Sequence, residues 1–210
     1  MILPLLLLFA QSGLELPPLG YFPARDGRLY PLYGMRGNLV IGTPLEEGVT
    51  AAVQIDRTVV TKTAAGIGVG KRILDRERLR DNLVLLMGEE GERAGWIAAA
   101  DALVQWSGHR VLVPVHSPSG WEIVELDGTT LQELRREPVA ADSVAVDSTG
   151  RIWVASGTNV ACGDRAWEMD SPIESLFPLR EGWVLIRASG ILLAAQCQAP
   201  DLTMVPEPAP

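Results

Sequence analysis

Short runs of three or four hydrophobic residues recur along the chain, each bordered by small or polar residues. Six runs share this form: GNLVIG (37–42), DRTVVTK (56–62), DNLVLLMG (81–88), GHRVLVPV (108–115), GRIWVASG (150–157) and GWVLIRAS (182–189). Val, Ile, Leu and Trp favour strands, whereas the Gly, Ser and Asp residues at the borders favour turns. The pattern therefore predicts short antiparallel strands joined by hairpins.

The most complete unit is DSVAVDSTGRIWVASGTNVACGDRAWEMDS (142–171), which predicts four strands over 143–146, 151–155, 159–162 and 165–169. Similar text returns after 41 residues between Arg110 and Arg151, and after 32 residues between Gly150 and Gly182. Four short strands in about 40 residues is the spacing of a propeller blade. We predict an all-β fold, a small β-propeller of five to six short, irregular blades, with an open antiparallel meander as the alternative.

The segment DSTGRIWVASG resembles the strand–turn–strand core of many bacterial β-propellers, in which D-x-x-G-x-[LIV]-W-V-A recurs from blade to blade. Three further segments, GRLYPLYGMRGNLVIG, ALVQWSGHRV and PIESLFPLREGWVLIRASGILLAA, extend the likeness over most of the chain after residue 20. Together they resemble an uncharacterised group of exported bacterial propeller-like proteins. The resemblance implies a fold and a location outside the cytoplasm, but no activity.

The two ends of the chain differ from its centre. An apolar run, residues 2–10, is too short for a membrane helix and resembles the core of a signal peptide, although no basic residue precedes it. We predict a signal peptide over 1–10, with a buried first strand as the alternative, a propeller-like domain over 11–197 and a Pro-rich flexible tail over 198–210. The protein is then periplasmic or extracellular, with no transmembrane span.

Cys162 and Cys197 are the two cysteines of the chain. In an exported protein they can form one disulfide, and two buried free thiols are the alternative. Both interpretations stay open at the level of sequence.

Charge limits the kinds of partner. With 18 basic and 26 acidic residues, the net charge of -8 argues against a nucleic-acid partner, which would need a basic surface. We expect a monomer that binds a protein or a small molecule, and the sequence contains no cofactor motif.

The glycine-rich stretch TKTAAGIGVGKR (61–72) superficially resembles a phosphate-binding loop. A Walker A loop would need glycine where Ala65 stands and a hydroxyl residue where Arg72 stands. Its three glycines alternate with other residues, which is the period of a strand. We therefore predict strand and turn at this position, in an early blade.

Asp142 is the one acidic residue with a motif around it. Together with Asp147, Gly150 and Trp153 it matches a spacing found in propeller lactonases of the regucalcin and gluconolactonase type, in which the corresponding Asp binds a metal. A single carboxylate is a poor calcium site, and a turn role for Asp142 is the alternative.

The two histidines, His109 and His116, fall on opposite faces of one predicted strand and are too far apart to share a metal ion. The six tryptophans lie in or beside predicted strands, where packing between blades is their expected role and a ligand-binding aromatic cage is the alternative. No catalytic residue is predicted. The sequence thus favours a non-catalytic binding or scaffold module of the bacterial cell envelope, with a metal-dependent lactonase-type hydrolase as the alternative.

Overall fold

Six small sheets, which we number as blades 1 to 6 in chain order, make up the described part of the protein. This computed structural model describes residues 17–55, 58–64, 66–69, 72–73, 83–88, 91–96, 104–105, 110–128, 130 and 132–206. Blade 1 contains β1 (Gly20–Pro23), β2 (Arg28–Met35), β3 (Asn38–Ile41) and β4 (Glu46–Glu47). Blade 2 contains β5 (Val49–Ile55), β6 (Thr58–Thr63), β7 (Gly66–Val69) and β8 (Arg72–Ile73). Blade 3 contains β9 (Leu83–Gly88), β10 (Gly91–Trp96) and β11 (Val104–Gln105).

The second half of the chain supplies three more blades. Blade 4 contains β12 (Arg110–Ser117), β13 (Gly120–Asp127) and β14 (Glu133–Val139). Blade 5 contains β15 (Ser143–Val146), β16 (Ile152–Ser156), β17 (Asn159–Cys162) and β18 (Arg165–Glu168). Blade 6 contains β19 (Ile173–Pro178), a 3-10 turn (Arg180–Gly182), β20 (Trp183–Ala188), β21 (Ile191–Gln196) and β22 (Thr203–Val205).

Blades 2, 4, 5 and 6 are antiparallel meanders in which each strand pairs with the next strand of the chain. Blade 1 adds a second short partner, β4, beside β2. Blade 3 is irregular, because β11 returns parallel to β9 on the side away from β10. Among the described residues, no helix is long or apolar enough to cross a membrane.

Neighbouring blades pack face to face, and the last blade packs against the first. One apolar cluster joins blades 1 and 6, with Phe22, Leu32 and Leu39 against Leu185 and Leu192. A second cluster fills the space between blades 5 and 6 around the fully buried Trp153. Small meander sheets whose last member returns to the first form a β-propeller, so the predicted fold is confirmed.

The first strand of blade 1, β1, runs in the opposite direction to the first strand of blade 6, β19. The N–H of Arg180, in the turn after β19, donates to the carbonyl of Leu19 just before β1, at 2.7 Å. At the other end, Glu174 near the start of β19 pairs with Arg25, which follows β1. The beginning of β1 therefore lies beside the end of β19, and the two strands are antiparallel.

The strands of blade 5 lie within one or two residues of the four predicted from the sequence. The glycine-rich stretch also follows its prediction, since β6 and β7 form a hairpin of blade 2 in which Thr63 pairs with Gly66. Gly70 and Lys71 lie outside the described residues. So does the predicted signal peptide, residues 1–10, which stays a prediction.

Three residues of the predicted tail form a strand in the structure. Residues 203–205 form β22, the outer strand of blade 6, which pairs with Leu192–Ala194 of β21. Val205 is buried in the cluster between blades 6 and 1. Proline-rich composition suggested a flexible segment, but three strand-forming residues between the prolines suffice to complete the sheet.

Candidate functional site

The turns between the first two strands of blades 1, 5 and 6 share one hydrogen-bonding frame. In each turn a backbone N–H donates to the carbonyl four residues later, from Ala24 to Arg28, from Asp147 to Arg151 and from Leu179 to Trp183, at 2.8 to 3.0 Å. The fourth residue is always a glycine with positive φ: 75° at Gly27, 81° at Gly150 and 71° at Gly182. We call residues 24–28, 147–151 and 179–183 turn 1, turn 5 and turn 6.

Turn 5 is built around one buried carboxylate, that of Asp147. Its Oδ1 accepts the backbone N–H groups of Thr149 (2.8 Å) and Arg151 (3.1 Å), together with the Thr149 hydroxyl (2.6 Å). Its Oδ2 accepts the indole N–H of Trp153 at 3.0 Å. Asp147 is only 3 % exposed, so these bonds replace the water that its charge would otherwise bind.

Turn 6 packs directly on turn 5. The N–H of Gly182 donates to the Ser148 hydroxyl at 2.9 Å, and a Cβ on Gly182 would meet Thr149 Cγ2 at 3.1 Å. Gln196 Nε2 donates to the carbonyl of Glu181 at 3.0 Å. Two turns that brace one another in this way form a rigid surface, which we call the lower rim (residues 147–151 and 179–183).

Glu181 adopts a left-handed backbone, with φ 56° and ψ 31°, and its side chain is exposed. A non-glycine residue in this region is uncommon, and it persists where the surrounding structure holds it. Here the neighbouring Gly182 and Gln196 contacts hold it, so the backbone that carries this exposed carboxylate has a fixed conformation.

The start of β1 extends this rim from blade 1. Because Arg180 N–H bonds the carbonyl of Leu19, the side chain of Arg180 lies beside the first residues of β1. Tyr21 of β1 pairs with Pro31 of β2, and Tyr33 lies two residues beyond Pro31, so both tyrosines occupy the same face of blade 1. We call Tyr21, Tyr33 and Arg180 the Tyr–Arg cluster.

The groups of the Tyr–Arg cluster influence one another electrostatically. Burial raises the pKa of Tyr21, the phenol of Tyr33 raises it further, and the charge of Arg180 opposes both effects. Within the described part of the chain, neither phenol nor the guanidinium has a hydrogen-bond or ion-pair partner. The sequence analysis missed these residues, and the only signal was the spacing of tyrosines in GYFP and RLYPLYG.

Asp142, the predicted metal candidate, lies between β14 and β15 and is exposed. Its carboxylate accepts the N–H of Gly157 at 2.8 Å, its own N–H donates to the Ala155 carbonyl at 2.8 Å, and its carbonyl accepts Trp121 Nε1–H at 3.0 Å. These bonds fix the chain where it enters blade 5. Metal binding by Asp142 stays a prediction.

The lactonase-like spacing thus joins residues with two different structural roles. Asp142 lies near the turn between β16 and β17, whereas Asp147 and Gly150 belong to turn 5 at the opposite end of the same strands, where Trp153 of β16 bonds to Asp147. Within the described ranges, no three or more His, Cys, Asp or Glu side chains are grouped so that they could hold a metal ion.

Cys162 and Cys197 form a disulfide, with their Cα atoms 5.6 Å apart. It links the end of β17 in blade 5 to the residue after β21 in blade 6. Nearby, Trp167 Nε1–H donates to the Pro200 carbonyl at 3.0 Å. This bond also holds the segment between β21 and β22 against blade 5. Apolar contacts and a covalent bond therefore both hold blades 5 and 6 together.

The described tryptophans pack between strands and blades, as predicted. Trp153 and Trp183 are buried in the two apolar clusters, and Trp167 stacks on Trp153 with ring centroids 5.5 Å apart. His116 is exposed and lies against Trp121, at 4.8 Å between centroids. His109 and the side chains of Trp96 and Trp106 fall outside the described part.

A second charged group, on blade 4, pairs one arginine with two carboxylates. Arg136 Nη1 donates to Glu122 at 2.6 Å, and its Nη2 donates to Glu133 at 2.7 Å. The bond from Arg136 lowers the pKa of Glu133, and the two carboxylates raise the pKa of Arg136. Charged side chains on an outer strand such as β14 discourage pairing with another sheet.

The chain is similar to several solved β-propeller structures at very low identity. The WD40 β-propeller domain of Doa1 is 10 % identical over 86 % of this chain and 75 % of that one, with a TM-score of 0.46. PorZ, a surface component of the type-IX secretion system of Porphyromonas gingivalis, is 14 % identical over 90 % of this chain but only 27 % of its own, with a TM-score of 0.38. A chain of the nidogen–laminin complex is 8 % identical over 89 % of this chain and 80 % of that one, with a TM-score of 0.38. No family model and no curated protein matches the chain. Similarities this low carry no argument about function.

Proposed function

We propose that this protein is a non-catalytic binding module of the bacterial cell envelope and that it holds its ligand at the lower rim. The observation that carries the proposal is the bracing of turn 5 against turn 6, which fixes the exposed Glu181 in a left-handed conformation. Strained, exposed turns on a rigid scaffold are the usual location of binding residues.

The roles of the described carboxylates support binding rather than catalysis. Asp147 accepts three hydrogen bonds from within turn 5 and a fourth from Trp153, and Asp142 accepts the Gly157 N–H. A general acid or base needs a carboxyl group that can reach substrate and exchange a proton. These two carboxylates instead maintain the shape of turns, and nothing in the described residues favours the lactonase alternative.

The disulfide supports a location in the envelope. Disulfides form and persist in oxidising compartments such as the periplasm and are rare in the cytosol. The bond between Cys162 and Cys197 joins two blades that also share an apolar core. A stable bond at this junction fits an exported protein, as the resemblance to exported propellers implies.

Site-specific photo-crosslinking tests the binding role. A photoreactive amino acid replaces Glu181 in the native bacterium, and Ser189 is the matched control, because it is exposed, has a positive φ of 37° and lies in the β20–β21 turn at the opposite end of blade 6. We expect an added mass or a shifted band from position 181 only. Equal labelling at the two positions, or none at either, would contradict the proposal.

Cell fractionation with thiol blocking tests the location. The protein should appear in the envelope fraction with Cys162 and Cys197 protected from alkylation until a reductant is added. Recovery from the cytoplasm with two reactive thiols would overturn the envelope assignment.

A further inference from the structure

The lower rim carries a set of hydrogen-bond donors whose acceptors the described part of the chain does not supply. Arg180 is partly buried, as are Tyr21 and Tyr33. Two other arginines with partly or fully buried side chains do have acceptors within the chain: Arg136 donates to Glu133, and Arg187 donates to the Pro23 carbonyl at 2.6 Å. Partly buried donors normally find acceptors, so the Tyr–Arg cluster suits an acceptor from outside the chain.

The backbone fixes all three residues. Tyr21 and Tyr33 are diagonal neighbours across the β1–β2 pair, which places their Cβ atoms about 7–8 Å apart. The ring of Tyr33 lies against Gly42, where an added Cβ would come within 2.7 Å of Cε2. Arg180 is held beside β1 by its bond to Leu19 and by Leu179, which packs on Gly20. The donors are therefore positioned before any ligand arrives.

The chemistry of the three groups selects a negative ligand. A guanidinium donates through several N–H groups that match the oxygens of a carboxylate or phosphate. The phenols add neutral O–H donors, and because the pKa of Tyr21 is raised, its proton is retained through neutral and mildly alkaline pH. At a net charge of -8 the protein repels anions at long range, so selection depends on these contacts.

We propose that Tyr21, Tyr33 and Arg180 bind an anionic group, a carboxylate or a phosphate, carried by the ligand of the lower rim. This proposal rests on the proposed binding function and names the chemistry of its ligand.

Titration calorimetry of the purified full chain with inorganic phosphate and, separately, with succinate tests the site and distinguishes the two anions. We expect one of the two to bind, with affinity falling about ten-fold or more in Arg180→Gln, since a charge-assisted bond is lost. The double variant Y21F/Y33F should weaken binding about three- to ten-fold. Arg165→Gln, an exposed arginine on β18, is the matched control and should bind as the unmodified protein does.

A spectroscopic readout on the unmodified protein covers the case in which a variant folds poorly. A bound anion disfavours the phenolate, so it should raise the tyrosine pKa measured by absorbance at alkaline pH, and this rise should be absent from the double variant Y21F/Y33F. No binding of either anion, or equal weakening in R180Q and R165Q, would overturn the site. Crosslinking at position 181 with no anion binding would leave the rim function intact and remove only the anion site. Anion binding with no adduct at position 181 would keep the anion site and remove the proposed rim function.

Discussion

Turn 1 and turn 5 lie at opposite ends of the propeller, and each is held together by one aspartate carboxylate. In both, an aspartate carboxylate accepts the N–H of the arginine that closes the turn, Arg28 at 2.9 Å and Arg151 at 3.1 Å. The other oxygen accepts a hydrogen bond from the aromatic residue two positions after that arginine, the Tyr30 hydroxyl at 2.9 Å or the Trp153 indole N–H at 3.0 Å. Yet the aspartates stand at different positions of the frame, Asp26 third and Asp147 first.

The two turns differ in what covers them. Turn 5 is covered by turn 6, and Asp147 and Trp153 are almost completely buried. The side chain of Asp26 retains 19 % of its exposure and is flanked by Arg28, which also pairs with Glu47. The same local hydrogen bonds should therefore contribute much more to stability in turn 5, because unsatisfied donors there have no water to replace the carboxylate.

The largest expected effect comes from removing each carboxylate. Asp147→Ala leaves the buried Trp153 indole N–H and the partly buried N–H groups of Thr149 and Arg151 without their acceptor, and we expect a loss of about 3–5 kcal/mol in the free energy of unfolding. Asp26→Ala should cost clearly less, because water can reach the vacated position. Denaturant unfolding of both variants measures the difference, with Asp142→Ala as an exposed control. Equal losses in turns 1 and 5 would refute the argument from burial.

The junction of blades 5 and 6 differs from the junction of blades 6 and 1 in that a disulfide crosses it. Replacing both Cys162 and Cys197 by alanine should reduce stability by about 2–4 kcal/mol, since the bond closes a loop between residues 35 apart. Amide hydrogen exchange should rise first in β17, β21 and β22 and less in β1 and β2. Reduction of the unmodified protein by a dithiol should give the same pattern. A uniform rise across the chain would show that the two junctions open together.

Changing the aromatic partners sharpens the comparison further. Trp153→Phe removes the donor to Asp147 and part of a buried ring, for an expected loss of about 2–3 kcal/mol. Tyr30→Phe should have a smaller effect. In the Asp147→Ala background, Trp153→Phe should cost less than it does alone, because the bond is already gone. Additive losses in this double-mutant cycle would mean that the indole contributes by packing only.

The smallest expected effect is the pH dependence that turn 1 contributes. The Arg28 N–H, more than the Tyr30 hydroxyl, holds the pKa of Asp26 below its usual value of 3.8, against the effect of burial. A lowered folded-state pKa stabilises the protein above the unfolded pKa, and this contribution is lost as the pH falls through the folded value. Thermal unfolding between about pH 5 and pH 2 should show a decline that is partly removed in Asp26→Asn. The same decline in that variant would assign the acid sensitivity to other groups.

Parts of the candidate site could be read from the sequence, and other parts could not. The step of 32 residues from Gly150 to Gly182 marks two equivalent turn positions, and both glycines do have positive φ. The GRLY segment of turn 1 resembles GRIW of turn 5, but its aspartate lies two residues before the arginine instead of four, so the spacing does not reveal the shared hydrogen bonds. Arg180 gave no signal, since its proximity to Tyr21 arises from packing between blades that are far apart in the chain.

The sequence by itself determined the local structure of this protein: short strands, glycine turns and the four strands of blade 5. These follow from strand and turn propensities over a few neighbouring residues. Only the tertiary structure decided that β1 runs opposite to β19, that residues 203–205 complete blade 6 and that the Tyr–Arg cluster forms. The first and last of these features depend on apolar surfaces joining residues more than 150 positions apart, such as Phe22 and Leu185, and no local pattern encodes such a contact. Strand β22 pairs with the nearby β21, and its long-range contact is the burial of Val205 between blades 6 and 1.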